Sequence, residues 1–154
     1  MKWKSLLIYI AIPLVIGGLS ALATSSAMSE FDVINKPGFA PPAWLFPVVW
    51  TILYILMGVA SYIVVNSNAS DKKIKKAITV YAVQLVFNFF WSIIFFNLEQ
   101  YLLAFFWLLA LLFLVIYTTI LFYNISKTAS YMMIPYIIWL LFAGVLNFAI
   151  FILN

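Results

Sequence analysis

"TILYILMGVASYIVVNSNASDKKIKK", residues 51–76, decides the fold. Its first part, 51–65, carries no charge, and with the residues back to Ala43 it reaches the roughly 20 apolar residues that cross a bilayer as a helix. The apolar run is continuous rather than alternating, which selects a helix over a barrel strand. It stops at "NSNASDKKIKK", where Lys72, Lys73, Lys75 and Lys76 follow within a few residues. Lysines beside a spanning segment collect on the cytoplasmic side, so this one stretch supplies both a span and its direction.

Working outward, the whole chain has the same character. Of 154 residues, 68% are hydrophobic and only 8% charged, against about a quarter charged in an ordinary soluble domain. A water-facing surface is out of reach, and an integral membrane protein follows. The sequence contains no cysteine and no histidine. Disulfides, thiolate metal sites and iron–sulfur clusters are excluded, together with the commonest metal ligand, haem ligand and general base. The net charge of +4 concerns the membrane surface rather than nucleic acid.

Five spans are expected, at 6–28, 43–65, 77–96, 101–123 and 131–153, giving an all-α bundle of five transmembrane helices. The breaks are polar: "SEFDVINKPG", "NSNASDKKIKK", "NLEQ" and "NISKTAS". The first span has a rival reading, since Lys2, Lys4, an apolar run and "ALA" at 21–23 resemble a secretory signal peptide. The run exceeds the usual h-region of roughly 7–15 residues, which favours a retained helix. With five spans, Lys2, Lys4, Lys72, Lys73, Lys75, Lys76 and Lys127 share one side, and the other keeps Lys36 with Glu30, Asp32 and Glu99. This bias puts the N-terminus in the cytoplasm, and the C-terminus and the 29–42 loop outside.

Polar residues within spans are costly, so their placement is informative. Steps of three and four set Tyr81, Gln84, Asn88, Trp91 and Ser92 on one face of the third span. Trp50, Tyr54, Gly58 and Ser61 share a face of the second; Tyr136, Trp139, Ala143 and Asn147 share one of the fifth; Thr24 sits at the outer half of the first. At 1.5 Å of rise per residue, Trp50 lies roughly 10 Å below the outer end of its span. Asn88, Trp91, Asn147 and Thr24 fall in the same outer half, with the 29–42 loop above as a lid. Prolines 41, 42 and 47 would set how that lid joins the second helix. Amides and hydroxyls also serve as interhelical glue, and Trp and Tyr as an interfacial belt. Trp44 suits a belt as well as a pocket, and Gly17, Gly18 and Ala21 suit close helix contacts. Trp139 lies too deep for a belt, and Trp50 repeats with Tyr54 on a polar face. An aromatic cavity for a flat, mostly apolar guest accounts for these positions.

At these residues the sequence resembles a known family. "KPGFAPPAWLFPVVWTILYILMG", "QLVFNFFWS" at 84–92 and "PYIIWLLFAGVLN" at 135–147 are similar, in order, to the loop and the second, third and fifth helices of the TspO/MBR family, the tryptophan-rich sensory proteins and translocator proteins, also called peripheral-type benzodiazepine receptors. The resemblance implies one TspO-like domain over 1–154, a homodimer, and a cell membrane of bacterial type. It implies a receptor for porphyrins and other tetrapyrroles and for isoquinoline and benzodiazepine ligands, with light- and oxygen-dependent breakdown of protoporphyrin as an activity. Carried onto matching positions, the pocket would involve Trp44, Trp50, Asn88, Trp91, Trp139, Ala143, Leu146 and Asn147, with Trp50 and Trp139 as the photochemical indoles. Thr24, Tyr54 and Gln84 join them as ligand-binding candidates from the shared polar faces. No metal and no obligatory cofactor is implied; the tetrapyrrole is a ligand, and iron-free porphyrin is the easier guest in a chain without histidine. The sequence departs from the family at Phe39 and Phe89, where relatives carry tryptophan, and "VLNFAIFILN" lacks the sterol-recognition pattern of animal relatives. Rival functions are a small-molecule transporter and a non-catalytic membrane scaffold. All four carboxylates fall in loops, so ordinary acid–base catalysis has no evident machinery.

Overall fold

The computed structural model of the chain describes residues 2–154. They form α1 (Trp3–Thr24), a single turn α2 (Met28–Phe31), α3 (Leu45–Val65), α4 (Asp71–Ser92), α5 (Tyr101–Tyr123) and α6 (Lys127–Leu153). A π-helical turn, Ile93–Asn97, extends α4. Five of these helices are long and apolar enough to cross a membrane, so the chain is a five-helix transmembrane bundle.

The helix limits differ from the hydropathy limits for identifiable reasons. α1 ends at Thr24 rather than at 28. Thr24 Oγ1 donates to Ser20 O at 2.9 Å and Ser25 Oγ to Leu22 O at 2.9 Å, and such hydroxyls compete with the helical ladder. α4 starts at Asp71 rather than 77, after an extended Ser70, with a carboxylate in its first turn where the helix dipole favours it. α6 starts at Lys127 rather than 131, and Ser126 caps it by accepting from Ala129 N at 3.4 Å. In both cases the helix continues past the hydrocarbon into water, where lysines are at home. Hydropathy reports the thickness of the apolar slab and not the length of the helix.

The helices close into a ring. α1 packs on α3 and α4, α3 on α6, α6 on α5, and α5 on α4. α1 and α3 approach closely at Gly58, where a Cβ would meet the backbone of Ile10 and stand 2.7 Å from Tyr9 O. Gly17, by contrast, leaves room for the Tyr54 ring, and Gly18 faces open space. The expectation of close contact therefore holds at Gly17 and not at Gly18.

At mid-depth the polar faces meet as a chain of buried hydrogen bonds. Tyr54 Oη donates to Asn88 Oδ1 at 2.8 Å, Asn88 Nδ2 to Tyr136 Oη at 2.7 Å, and Tyr136 Oη to Gln84 Oε1 at 2.9 Å. Three helices, α3, α4 and α6, are tied together through groups that lipid could not satisfy. Beyond this layer Met57, Tyr81, Leu85, Leu111, Val115, Phe122 and Met133 fill the interior. At the opposite end a second cluster forms around Ile94, Phe95, Ala104, Leu146 and Ile150.

Candidate functional site: an aromatic chamber beside α2

Between the hydrogen-bonded layer and α2 the ring does not fill. A cavity of about 560 Å³ remains, inside the roughly 300–1,000 Å³ range of small-molecule sites. Its walls come from α1, α2, α3, α6 and the α4 end with its π turn, and among the lining residues are Trp50, Tyr54, Trp91, Trp139, Phe46 and Phe95.

The indoles are held by neighbouring rings. Trp50 stacks on Tyr54 with centroids 5.5 Å apart and planes at 26°. Trp139 stands edge-on to Trp50 at 6.4 Å and 88°, and edge-on to Phe46 at 5.8 Å. Trp91 stacks on Phe95 at 5.2 Å, and its Nε1 donates to Asn147 Oδ1 at 3.2 Å. Asn147 Nδ2 in turn donates to Tyr101 O at 2.8 Å. Trp139 differs: its Nε1 is buried and has no acceptor among the described residues. The nitrogen itself is closed off, so the Trp139 ring rather than its N–H forms this part of the wall.

Of the sequence candidates, Thr24, Trp50, Tyr54, Trp91, Trp139, Ala143, Leu146 and Asn147 line the chamber. Gln84 and Asn88, 0% and 3% exposed, sit one layer behind it, with Asn88 bonded to both Tyr54 and Tyr136. Trp44 precedes α3, is 66% exposed, and is absent from the lining. The wall also includes residues that sequence reasoning passed over. Phe46 was legible, four residues before Trp50 on the same face. Phe95 and Phe96 were legible in the same way, four residues after Trp91 and Ser92, although a π turn carries them. Phe31 comes from the α1–α3 connection, whose path no periodicity foretells.

The connection closes over the chamber through specific contacts. Phe31 packs edge-on to Phe46 at 6.1 Å and to Phe96 at 5.7 Å. Lys36 Nζ donates to Phe31 O at 2.6 Å and lies 4.7 Å from the Phe31 ring centre. Asn35 and Asn154 clasp each other, Asn35 N donating to Asn154 Oδ1 at 3.1 Å and Asn154 Nδ2 to Asn35 O at 2.8 Å. Leu45 N donates to Pro42 O at 3.0 Å, so the prolines shape the turn into α3. This end of the bundle is acidic. Asp32 lines the chamber and Glu30 faces Glu99 across a small adjoining groove. A shared hydrogen bond and the like charge of Glu30 hold the Glu99 carboxyl above the usual carboxylate range. Among the described residues no group of His, Cys, Asp and Glu is placed to hold a metal ion.

Five apolar helices closed around a half-open aromatic chamber, roofed at one end by a loop and sealed behind by a polar layer, define a helical integral membrane protein with an internal cavity. Residues 9–153 match the TspO/MBR family, and the chain belongs to it. It is 40% identical over 136 residues to the tryptophan-rich protein TspO of Archaeoglobus fulgidus, covering 88% of this chain and 86% of that one. It is 32% identical to the tryptophan-rich sensory protein of Cereibacter sphaeroides, covering 100% and 94%. Identity to the translocator protein of Homo sapiens is 33%, over 76% of this chain and 70% of the relative.

Proposed function

We propose that the protein is a membrane receptor whose chamber takes a flat, largely apolar guest of the tetrapyrrole or porphyrin class, and also isoquinoline- or benzodiazepine-type ligands. The observation that carries this reading is the aromatic chamber of about 560 Å³ with Trp50, Trp91 and Trp139 in its lining. A planar guest would lie against Trp50 and Trp139, gaining stacking and apolar burial. Thr24, Trp91, Ala143, Leu146 and Asn147 would complete the contacts. Tyr54 would be a wall residue, and Asn88 and Gln84 would act through it rather than by touching the guest. Trp44 would serve the interface.

Light- and oxygen-dependent breakdown of protoporphyrin is a further part of the proposal. The chemistry would belong to the excited ring and oxygen, with Trp50 and Trp139 as the nearest indoles. A receptor is favoured over a through-going carrier because the Tyr54–Asn88–Tyr136–Gln84 layer and the packed core behind it close the chamber's inner end. The lysine bias would set α2 and the 29–42 loop outside the cell, with the N-terminus within. Pairing into homodimers would use the apolar outer faces of the bundle.

Titrating protoporphyrin in the dark against tryptophan emission, in lipid nanodiscs, tests the reading. Saturable quenching is expected, and the pocket-filling Ala143→Phe should abolish it. Unchanged saturable quenching after replacing both Trp50 and Trp139 with Phe would overturn the placement.

A further inference from the structure

The chamber's walls are apolar, but its mouth is not neutral. Asp32, at the end of α2, is a charged member of the lining and is itself exposed. Two more carboxylates, Glu30 and Glu99, flank the adjoining groove, which shares Phe31, Phe95 and Phe96 with the chamber. The sole basic residue of the segment between α1 and α3 is Lys36. It does not line the chamber, and its ammonium is engaged by the Phe31 carbonyl at 2.6 Å and the Phe31 ring at 4.7 Å. Lys36 keeps its positive charge there, but three carboxylates outnumber it, so a guest entering past α2 meets net negative potential. At the far wall it meets the Trp50 and Trp139 rings.

We propose that Asp32 is a specificity-determining residue that selects guests by charge: neutral or cationic planar molecules enter in preference to those carrying free carboxylates. This rests on the receptor reading above and sharpens it. Free protoporphyrin, with two propionates, is then a poorer guest than its neutral diester, although the two share one ring. The carboxylate acts through space on the guest's outer edge, so the effect is moderate and salt-sensitive. An exposed carboxylate a few ångströms from a guest charge supports roughly a three- to tenfold preference. The preference fades as the screening length falls from about 30 Å at about 0.01 M salt to about 3 Å at about 1 M.

The experiment compares protoporphyrin with its dimethyl ester by dark quenching in neutral-lipid nanodiscs. The quenching that Ala143→Phe removes is counted as chamber binding, which corrects for unequal partition into lipid. The unaltered chain is expected to favour the diester by about three- to tenfold at low salt. Asp32→Asn should bring the ratio close to one, and Asp32→Lys should reverse it. The neutral diester's own affinity should hardly move in either variant, which separates charge selection from damage to the fold. If both guests bind saturably and their ratio ignores Asp32 and salt, the selection is refuted while the receptor stands. If neither guest gives quenching that Ala143→Phe removes, the receptor reading itself fails.

Discussion

Asn88 offers the sharpest test of how the chamber is built. Its side chain spends the acceptor on Tyr54 and one donor on Tyr136, at 2.8 Å and 2.7 Å, and it lies behind the chamber wall. Replacing it with alanine removes two interhelical hydrogen bonds and strands the Tyr54 hydroxyl, while Tyr136 keeps its bond to Gln84 at 2.9 Å. Interhelical hydrogen bonds in membranes average about 0.6 kcal/mol and reach about 1.7. Two of them give a loss of about 1–3 kcal/mol. The coupling of Asn88→Ala with Tyr54→Phe in a double-mutant cycle should be about 0.6–1.7 kcal/mol. Reversible unfolding in mixed detergent–SDS micelles, followed by circular dichroism, measures both. Guest affinity should fall modestly in Asn88→Ala, through loosening of the Tyr54 ring against Trp50. A negligible coupling would refute the network. An affinity loss of a hundredfold with unchanged stability would refute the wall, because it would mean that Asn88 touches the guest directly.

Three other outcomes follow from the packing. Gly58→Ala forces α1 away from α3, since the new methyl meets Ile10 and Tyr9 backbone rather than a yielding side chain; a loss of about 1–3 kcal/mol is expected in the same unfolding assay. The Asn35–Asn154 clasp holds the loop above the chamber. In a chain without native cysteines, a single cysteine replacing Phe39 should react faster with a bulky maleimide once Asn35→Ala or Asn154→Ala opens the clasp. For Glu99 the raised folded-state pKa means that the folded protein binds the proton more tightly than the unfolded chain. The protonated pair therefore adds stability at acid pH, and that contribution is lost as pH rises through the raised value. Glu99→Gln should flatten the dependence of the thermal midpoint on pH from the ordinary glutamate range upward, and unaltered dependence would rule out this pair as its source.

Hydropathy located all five spans because hydrocarbon imposes a length on every crossing segment, whatever its neighbours. It misplaced the start of α4 and α6 because helical hydrogen bonding continues into water past the lysines. Helical periodicity put Tyr54, Asn88, Tyr136 and Gln84 on inward faces, since a polar side chain left in lipid is too costly. Periodicity was silent on which of them would be wall and which would be the layer behind. Asn88 was expected at the guest's edge and lies instead bonded to Tyr54 and Tyr136.

Local chemistry along the chain thus determined a five-helix membrane bundle, which faces of the helices turn inward, and the polar and aromatic groups they carry. Only the tertiary packing decided that these groups would leave a chamber unfilled rather than bond each other throughout. Two long-range facts made the difference: the α1–α3 crossing at Gly58, and α2 folding back with Phe31 and Asp32. The first depends on how far apart two helix axes stand. That separation is set by side chains distant in sequence, whereas periodicity reports only direction about a single axis.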